Sequence, residues 1–498
     1  MKILLAGYNL DTDVIKDLTK GDPLRADVTP ETLSAAYARI SRDPRPVDEL
    51  RQAARAEVEN ARKSNKSIIF KMGHHSVAEH AVFNFDIIGV SRLALEELEK
   101  FRLCSYTEKS QRYITLADDY IIPQELKMSQ FIREYTATIQ LQNDFYKRAF
   151  EALKNYINYK HPEEAKDPKK QILLEGWAKE DARYITSLAT AGQLGETINA
   201  RNLELVIRRF ASHPLREVQE IGRKMYNLVA GVAPSIIIFT EANEFDQKTY
   251  PALKHLSETI LHAKQIVPES YPGEVSLVDY SLHGDDLLVA SMMHTTSKIP
   301  YRQCLNLVRL LKPEQKKEFI KTACQHLQLY DSTLREFEYP SMTFELNMSA
   351  SCFAQFKRHR LATITTQEYN PDLGVVIPQA IKEVEMDKEF KEIIDKTNEV
   401  YKKIYASFPL AAPYILTNAH QRRVLTKVNA RELYHMSRLR EDEHAQWEIR
   451  QKTAKMSEQA KRVMPLTMLL MGGKDSYPKV YEQEFGHPPK VVNPVLPT

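Results

Sequence analysis

The chain is poor in the features that mark secreted, membrane-spanning or disordered proteins. Its four cysteines (Cys104, Cys304, Cys324 and Cys352) lie far apart and form no CxxC pair. That excludes a zinc knuckle and a secreted disulfide framework, and it fits a reducing compartment. Glycine is scarce at 15 residues and proline moderate at 25, so there is no Gly/Ser linker and no low-complexity segment. No apolar run reaches the ~18 residues of a membrane span. The opening MKILLAGYNLDTD has one lysine and an apolar run broken by Gly7 and Asp11, without the length or cleavage site of a signal peptide. An excess of one charge is missing too: 69 Lys and Arg against 66 Asp and Glu leave +3, too balanced for a nucleic-acid binder. Composition therefore implies a soluble, cytoplasmic, globular protein without nucleic-acid or membrane partners. At 498 residues the chain accommodates two or three domains of roughly 150 residues, large enough to need no disulfide or structural metal.

What is present is periodicity. PVDELRQAARAEVENARKS from Pro46 carries apolar or small residues every three to four positions and predicts one amphipathic helix. SQFIREYTATIQLQNDFYKRAFEALKNYI from Ser129 predicts a long helix ended by the His161-Pro162 step. AVFNFDIIGV from Ala81 and SMTFELNM from Ser341 alternate as strands with one buried face. A stretch rich in Pro, Tyr and charge from about Asn243 to Gly273 precedes a new start at EVSLVDYSL. The expected organisation is an N-terminal domain over 1–245, a linker over 246–272 and a C-terminal domain over 273–498.

The two halves repeat an order of features. Glu79 precedes one strand and Glu338 the other; a helix-like run follows each, then KFRLCSYTEKSQRY or KRHRLATITTQEYN. Asn-Ala-Arg then occurs at Asn199–Arg201 and at Asn429–Arg431, followed by His213 and His444. A tripeptide recurs easily by chance, but several features in the same order indicate a divergent tandem duplication.

Chemistry concentrates in the basic clusters. Arg358-His359-Arg360 places two guanidiniums around an imidazole. Guanidiniums suit phosphates and carboxylates, and an imidazole between them stays neutral. By itself such a cluster is also an ordinary basic helix end. In the other half Glu108, Ser110 and Arg112 fall on one face of an extended segment, a set able to grip a phosphorylated ligand or simply a polar edge strand. His74, His75, Glu79 and His80 have ligand chemistry, but no second cluster completes a site, so no metal is expected. Cys104 lacks a His partner and Ala362 replaces it in the repeat, which reads as a packed cysteine. Trp447 reads as core.

HHSVAEH, GVSR, and a basic cluster followed by seven residues, Ser110 and the Arg112-Tyr113 pair resemble the flavin-dependent thymidylate synthase family. The second half has the basic cluster in full but Glu368 for the Ser and Asn370-Pro371 for the Arg-Tyr. NAR and HAQWEI resemble the same family, and the likeness covers about residues 68–220 and 330–450.

The resemblance implies an α+β fold, a mostly antiparallel sheet flanked by long helices, present twice. It implies FAD, with NADPH and methylenetetrahydrofolate as co-substrates, and reductive methylation of dUMP to dTMP. By resemblance, Arg358, His359, Arg360, Asn429, Arg431, Ser76 and Glu108 serve the cofactor. Gln355, Arg358, Glu108, Ser110, Arg112, Arg183 and Arg440 serve the nucleotide, and Arg440 polarises the ring. The first half has Glu97, Phe101 and Phe210 where the second has Gln355, His359 and Arg440, while Pro413 stands at the place of Arg183. Each half thus keeps what the other lost, which implies one composite site and one that has decayed. Two alternatives stay open: another pyrimidine-like acceptor, motivated by Pro413, and a flavin- or nucleotide-binding protein without turnover. The family's shared sites imply a homodimer that forms a pseudo-tetramer.

Overall fold

The computed structural model describes residues 1–20, 28–112, 116, 118–266 and 274–490. Tyr113 and residues 267–272 of the expected linker lie outside the described residues. The chain forms two compact units: Met1–Pro268 with Pro378–Thr417, and Glu269–Ile377 with Asn418–Thr498. The second half is therefore not contiguous, because residues 378–417 pack with the first unit.

Each unit holds one four-stranded antiparallel sheet. In the first, β1 (Lys2–Tyr8), β2 (Val82–Ser91), β3 (Cys104–Glu108) and β4 (Ala191–Asn199) run in the order β1-β2-β4-β3. In the second, β5 (Val275–Tyr280), β6 (Ser341–Ser349), β7 (Thr363–Thr366) and β8 (Gln421–Asn429) run in the order β5-β6-β8-β7. The fold is α+β and doubled, as the resemblance implied. Register repeats as well: Phe85 faces Glu196 across β2 and β4, and Phe344 faces Thr426 across β6 and β8. One difference separates the copies. Between Ile88 and Val90 the β2 ladder shifts by a residue, and Gly89 sits there at φ 68°, a conformation that costs glycine little.

Alternation decides which face is covered. Phe83, Phe85 and Ile87 are buried while Asn84, Asp86 and Ile88 are exposed, so a period of two puts the aromatic residues and Ile87 on the covered side and leaves Ile88 on the other. Against that side pack the helices Arg92–Leu98, Ala200–Ala211 and Arg216–Val229, with Leu95, Leu203, Val206, Ile221 and Met225 in one core. In the second unit Met342, Phe344, Leu346 and Met348 play the same part beneath Ala350–Phe356, Ala430–Arg440 and Trp447–Val463. Each fully buried side chain of this kind contributes roughly 1.5–3 kcal/mol.

The helix expected from Ser129 spans Ile132–Lys160 and is capped by His161. The one expected from Pro46 is two, Val47–Ala56 and Val58–Asn65, broken at Glu57 (φ −133°, ψ 67°). Leu50, Ala54, Val58, Ala61 and Asn65 are all buried, so the periodicity runs through the break and carries no sign of it. A helix, Glu244–Ala263, occupies much of the stretch expected as linker, and none of its residues is buried. No helix among the described residues is long and apolar enough to cross a membrane.

Candidate functional site

The basic cluster of the second unit sits where Ala350–Phe356, a helix buried along its whole length, runs out. Ser349 caps it, its hydroxyl accepting from the Cys352 N–H at 3.0 Å. Ser349 is itself fixed by Glu448, which accepts its backbone N–H at 3.0 Å and also its hydroxyl. The first unit repeats this clamp with Ser91 and Glu217, at 2.7 Å from the backbone N–H and 2.6 Å from the hydroxyl. One more turn places Arg358 and Arg360 in solvent and buries His359 between them.

His359 is 3% exposed. Its Nε2 accepts from Arg440 Nε at 2.9 Å, and its Nδ1 lies 3.3 Å from Glu432 Oε1. Arg440 also donates through Nη2 to the Gln355 carbonyl at 3.1 Å. The ring therefore stays neutral, but not for the reason the sequence suggested. Burial holds its pKa well below the ordinary value, with Arg440 and then His435 adding to the effect; Arg358 and Arg360 face water.

Arg440 ends the helix Ala430–Arg440, where its charge complements the helix C-terminus. The Asn429 side chain caps that helix, accepting from the Glu432 N–H at 2.8 Å. Arg431 donates to Glu338 Oε1 at 2.8 Å and to the Thr333 carbonyl at 2.9 Å. The acidic residue before the strand thus pairs with the NAR arginine, and Glu79 pairs with Arg201 in the same way in the first unit. Arg422 is packed on the core side, 4.2 Å from the Tyr369 ring and donating to the Gln367 carbonyl and Thr366 hydroxyl.

In the first unit, the positions that answer to His359 and Arg440 are Phe101 and Phe210, whose rings meet edge to face at 5.9 Å. Glu97, at the Gln355 place, lies 2.6 Å from Lys100 and 3.3 Å from His213. Burial alone would raise its pKa, yet His213 and Lys100 hold the carboxyl down to about 2. Apolar contact and an ion pair fill this copy of the site.

What the first unit has instead is a buried charge cluster. Arg92 stands 3.8 Å from Glu108, Arg112 pairs with Glu180, and Arg183 Nε donates to the Glu180 carbonyl at 3.3 Å. The Ser110 hydroxyl accepts from the Arg112 N–H at 3.1 Å. Burial lowers the Arg183 pKa, Glu180 opposes that, and Arg92 and Arg112 reinforce it. Guanidiniums gathered in this way have the donor chemistry that an anion takes. The second copy has Ala350, Thr366, Asn370, Leu410 and Pro413 at the corresponding places.

Each predicted set therefore gathers within its own unit: Gln355, Arg358, His359, Arg360, Asn429, Arg431 and Arg440 in the second, Glu108, Ser110, Arg112 and Arg183 in the first. Ser76 is exposed on the turn His75–His80. Among the described residues no group of three or more His, Cys, Asp or Glu is arranged to hold a metal ion. Cys104 is buried in the core of the first unit, and Trp447 is half-buried rather than core. Sequence reasoning missed Glu432, Arg92 and Glu180. The first adjoins NAR and the second closes GVSR, so both lay beside quoted motifs; Glu180 carried no signal.

Comparison with known proteins agrees with the duplication. The family model for thymidylate synthase complementing protein matches residues 24–235 and again 276–466. A UPF0159 protein of Chlamydia muridarum is 23% identical over 429 residues, covering 82% of this chain and 80% of its own. The flavin-dependent thymidylate synthase of Geobacter sulfurreducens is 29% identical over 212 residues, 42% of this chain and 80% of its own. That of Pyrococcus abyssi is 30% identical over 174 residues, 34% of this chain and 62% of its own. A crystal structure of the UMP/dUMP methylase PolB from Streptomyces cacaoi bound with 5-Br dUMP covers 39% of this chain and 92% of its own, at 17% identity and a TM-score of 0.32. With its model matching two regions that together make up most of the sequence, the chain belongs to the thymidylate synthase complementing protein family.

Proposed function

We propose that the protein is a flavin-dependent enzyme that methylates the uracil ring of a nucleotide, most simply dUMP to dTMP, with methylenetetrahydrofolate as methyl donor and NADPH as reductant. The observation that carries this reading is Arg440, held at the end of its helix by hydrogen bonds to the His359 ring nitrogen and the Gln355 carbonyl, close to the exposed basic cluster. A guanidinium fixed in this way is placed to stabilise negative charge developing on a substrate oxygen. Exposed Arg358 and Arg360 offer the donors that a flavin's or nucleotide's phosphates require, so the donor set fits FAD. Flavin, when bound, supplies the hydride and carries the methylene group. The chain's own part is to orient: Gln355 and Arg358 place the ligands, and Arg440 polarises the ring. The anion-suited cluster of Arg92, Arg112 and Arg183 in the first unit supports a phosphorylated substrate. Naming of the Geobacter and Pyrococcus relatives as flavin-dependent thymidylate synthases supports the chemistry.

Two measurements test it. Flavin should appear in the supernatant when the purified protein is denatured. Tritium should be released from 5-tritiated dUMP when methylenetetrahydrofolate and NADPH are supplied. Release from 5-tritiated UMP alone would move the acceptor to ribonucleotides; no flavin and no release from either would overturn the reading. We further propose that two chains associate, which sedimentation would register as twice 57.5 kDa.

A further inference from the structure

We propose that Glu432, acting through His359, fixes the orientation of Arg440 and is a positioning residue of the second unit; this rests on the methyl-transfer reading above. Arg440 Nε can donate to His359 Nε2 at 2.9 Å only if that nitrogen carries a lone pair. The imidazole proton then resides on Nδ1, which faces Glu432 Oε1 at 3.3 Å. A carboxyl oxygen beside Nδ1 favours that tautomer, and the partner of one ring nitrogen sets what the other presents. His359 and Glu432 are each 3% exposed, so water does not compete for either contact. The other titratable groups that act on the pair are Arg440, His435 and Arg431. Burial raises the Glu432 pKa and His435 and Arg431 oppose it, but either protonation state leaves an acceptor oxygen for Nδ1–H.

The duplication supplies an internal control. Where the second copy has Glu432, His359 and Arg440, the first has Asn202, Phe101 and Phe210. All three changed together, and the Phe101–Phe210 contact fills the place of the imidazole–guanidinium hydrogen bond. A simpler role for Glu432 is to complement the helix N-terminus. The helix Ala200–Ala211 starts with the same asparagine cap and has the same use for an acidic residue, yet it carries none in its first turn. The carboxylate goes with the His–Arg pair, not with the helix.

The test uses the full chain and the variants Glu432→Leu, Glu432→Gln, His359→Leu and His359→Gln. Both leucine variants should lower kcat roughly 10- to 100-fold, as misplacing a charged group does, with nucleotide KM unchanged within about threefold. The glutamine variants keep an acceptor oxygen and should recover most of the loss. Nitrogen NMR of protein with labelled histidine should show one ring, absent from His359→Gln, with a bare Nε2 at neutral pH. That signature should persist in Glu432→Gln and become mixed in Glu432→Leu. An undiminished kcat in Glu432→Leu, equal losses in Glu432→Gln and Glu432→Leu, or a protonated Nε2 on His359 would each overturn the proposal. If the wild type transfers no methyl group, the functional reading fails while the ring spectra still decide this one.

Discussion

Glu196 points into the core from β4, opposite Phe85 on one side and Tyr106 on the other. It is 2% exposed, and burial pushes its pKa up to about 8, only partly opposed by the Tyr106 hydroxyl, which donates to the Leu98 carbonyl at 2.8 Å. The sign of the consequence is fixed. Between the ordinary carboxyl value and about 8 the unfolded chain ionises this group and the folded chain does not, so stability falls as pH rises, by about 1.4 kcal/mol per unit. Glu196→Gln removes the slope, so its melting temperature should gain on the wild type steadily from pH 5 to pH 8. A gain that does not change with pH would mean that Glu196 is ionised in the fold. The second copy has Thr426 at this place, an assignment readable from the sequence only once the register is known. Arg440 is the matching case on the functional side. Arg440→Ala should lower kcat about 100-fold or more, in the range for losing one donor to developing charge, and steady-state kinetics with dUMP will show it.

At the scale of elements, caps and clamps carry the duplication more faithfully than the chemistry does. Asn199 and Asn429 both cap the helix that follows, and Ser91–Glu217 recurs as Ser349–Glu448. Asn429→Ala should cost about 1 kcal/mol. Ser349→Ala should cost more, about 2–3 kcal/mol, because it also leaves the buried Glu448 carboxylate short of a donor. Urea midpoints at unchanged slope measure both, and equal losses would mean that the clamp adds nothing to the cap. NAR was conspicuous in the sequence, while its reason was not. The asparagine turns the chain from strand into helix, and the arginine reaches back to the acidic residue before the preceding strand. Those partners are about 90–120 residues apart, beyond any local pattern.

At the scale of the whole molecule, the first unit is completed by a segment of the second half. The helix Asp387–Tyr405 lies along Ile132–Lys160, with Phe390 against Phe145 at 5.7 Å and Gln142 donating to Thr397 at 2.9 Å and to the Ile415 carbonyl at 3.1 Å. Ser187 bridges Thr417 in an antiparallel pairing, each at the other's repeat position. Phe390→Ala should destabilise the first unit by about 3–5 kcal/mol, and hydrogen exchange should speed up along Ile132–Lys160. A fragment that ends at residue 268 should be insoluble or unfolded, since it exposes that face; a soluble, cooperatively melting fragment would count against this packing.

The sequence by itself determined the elements, their doubling and the identity of the charged groups, because periodicity, caps and ordered motifs are local and survive divergence. The α+β class, the strands at Ala81 and Ser341 and the long helix from Ser129 were legible on those grounds. Only the tertiary structure decided that 378–417 belongs with the first unit, that Glu432 stands behind His359, and that His359 is neutral through burial rather than through its neighbours in sequence. Desolvation and pairing depend on which distant residues share a low-dielectric space, and no spacing along the chain records that.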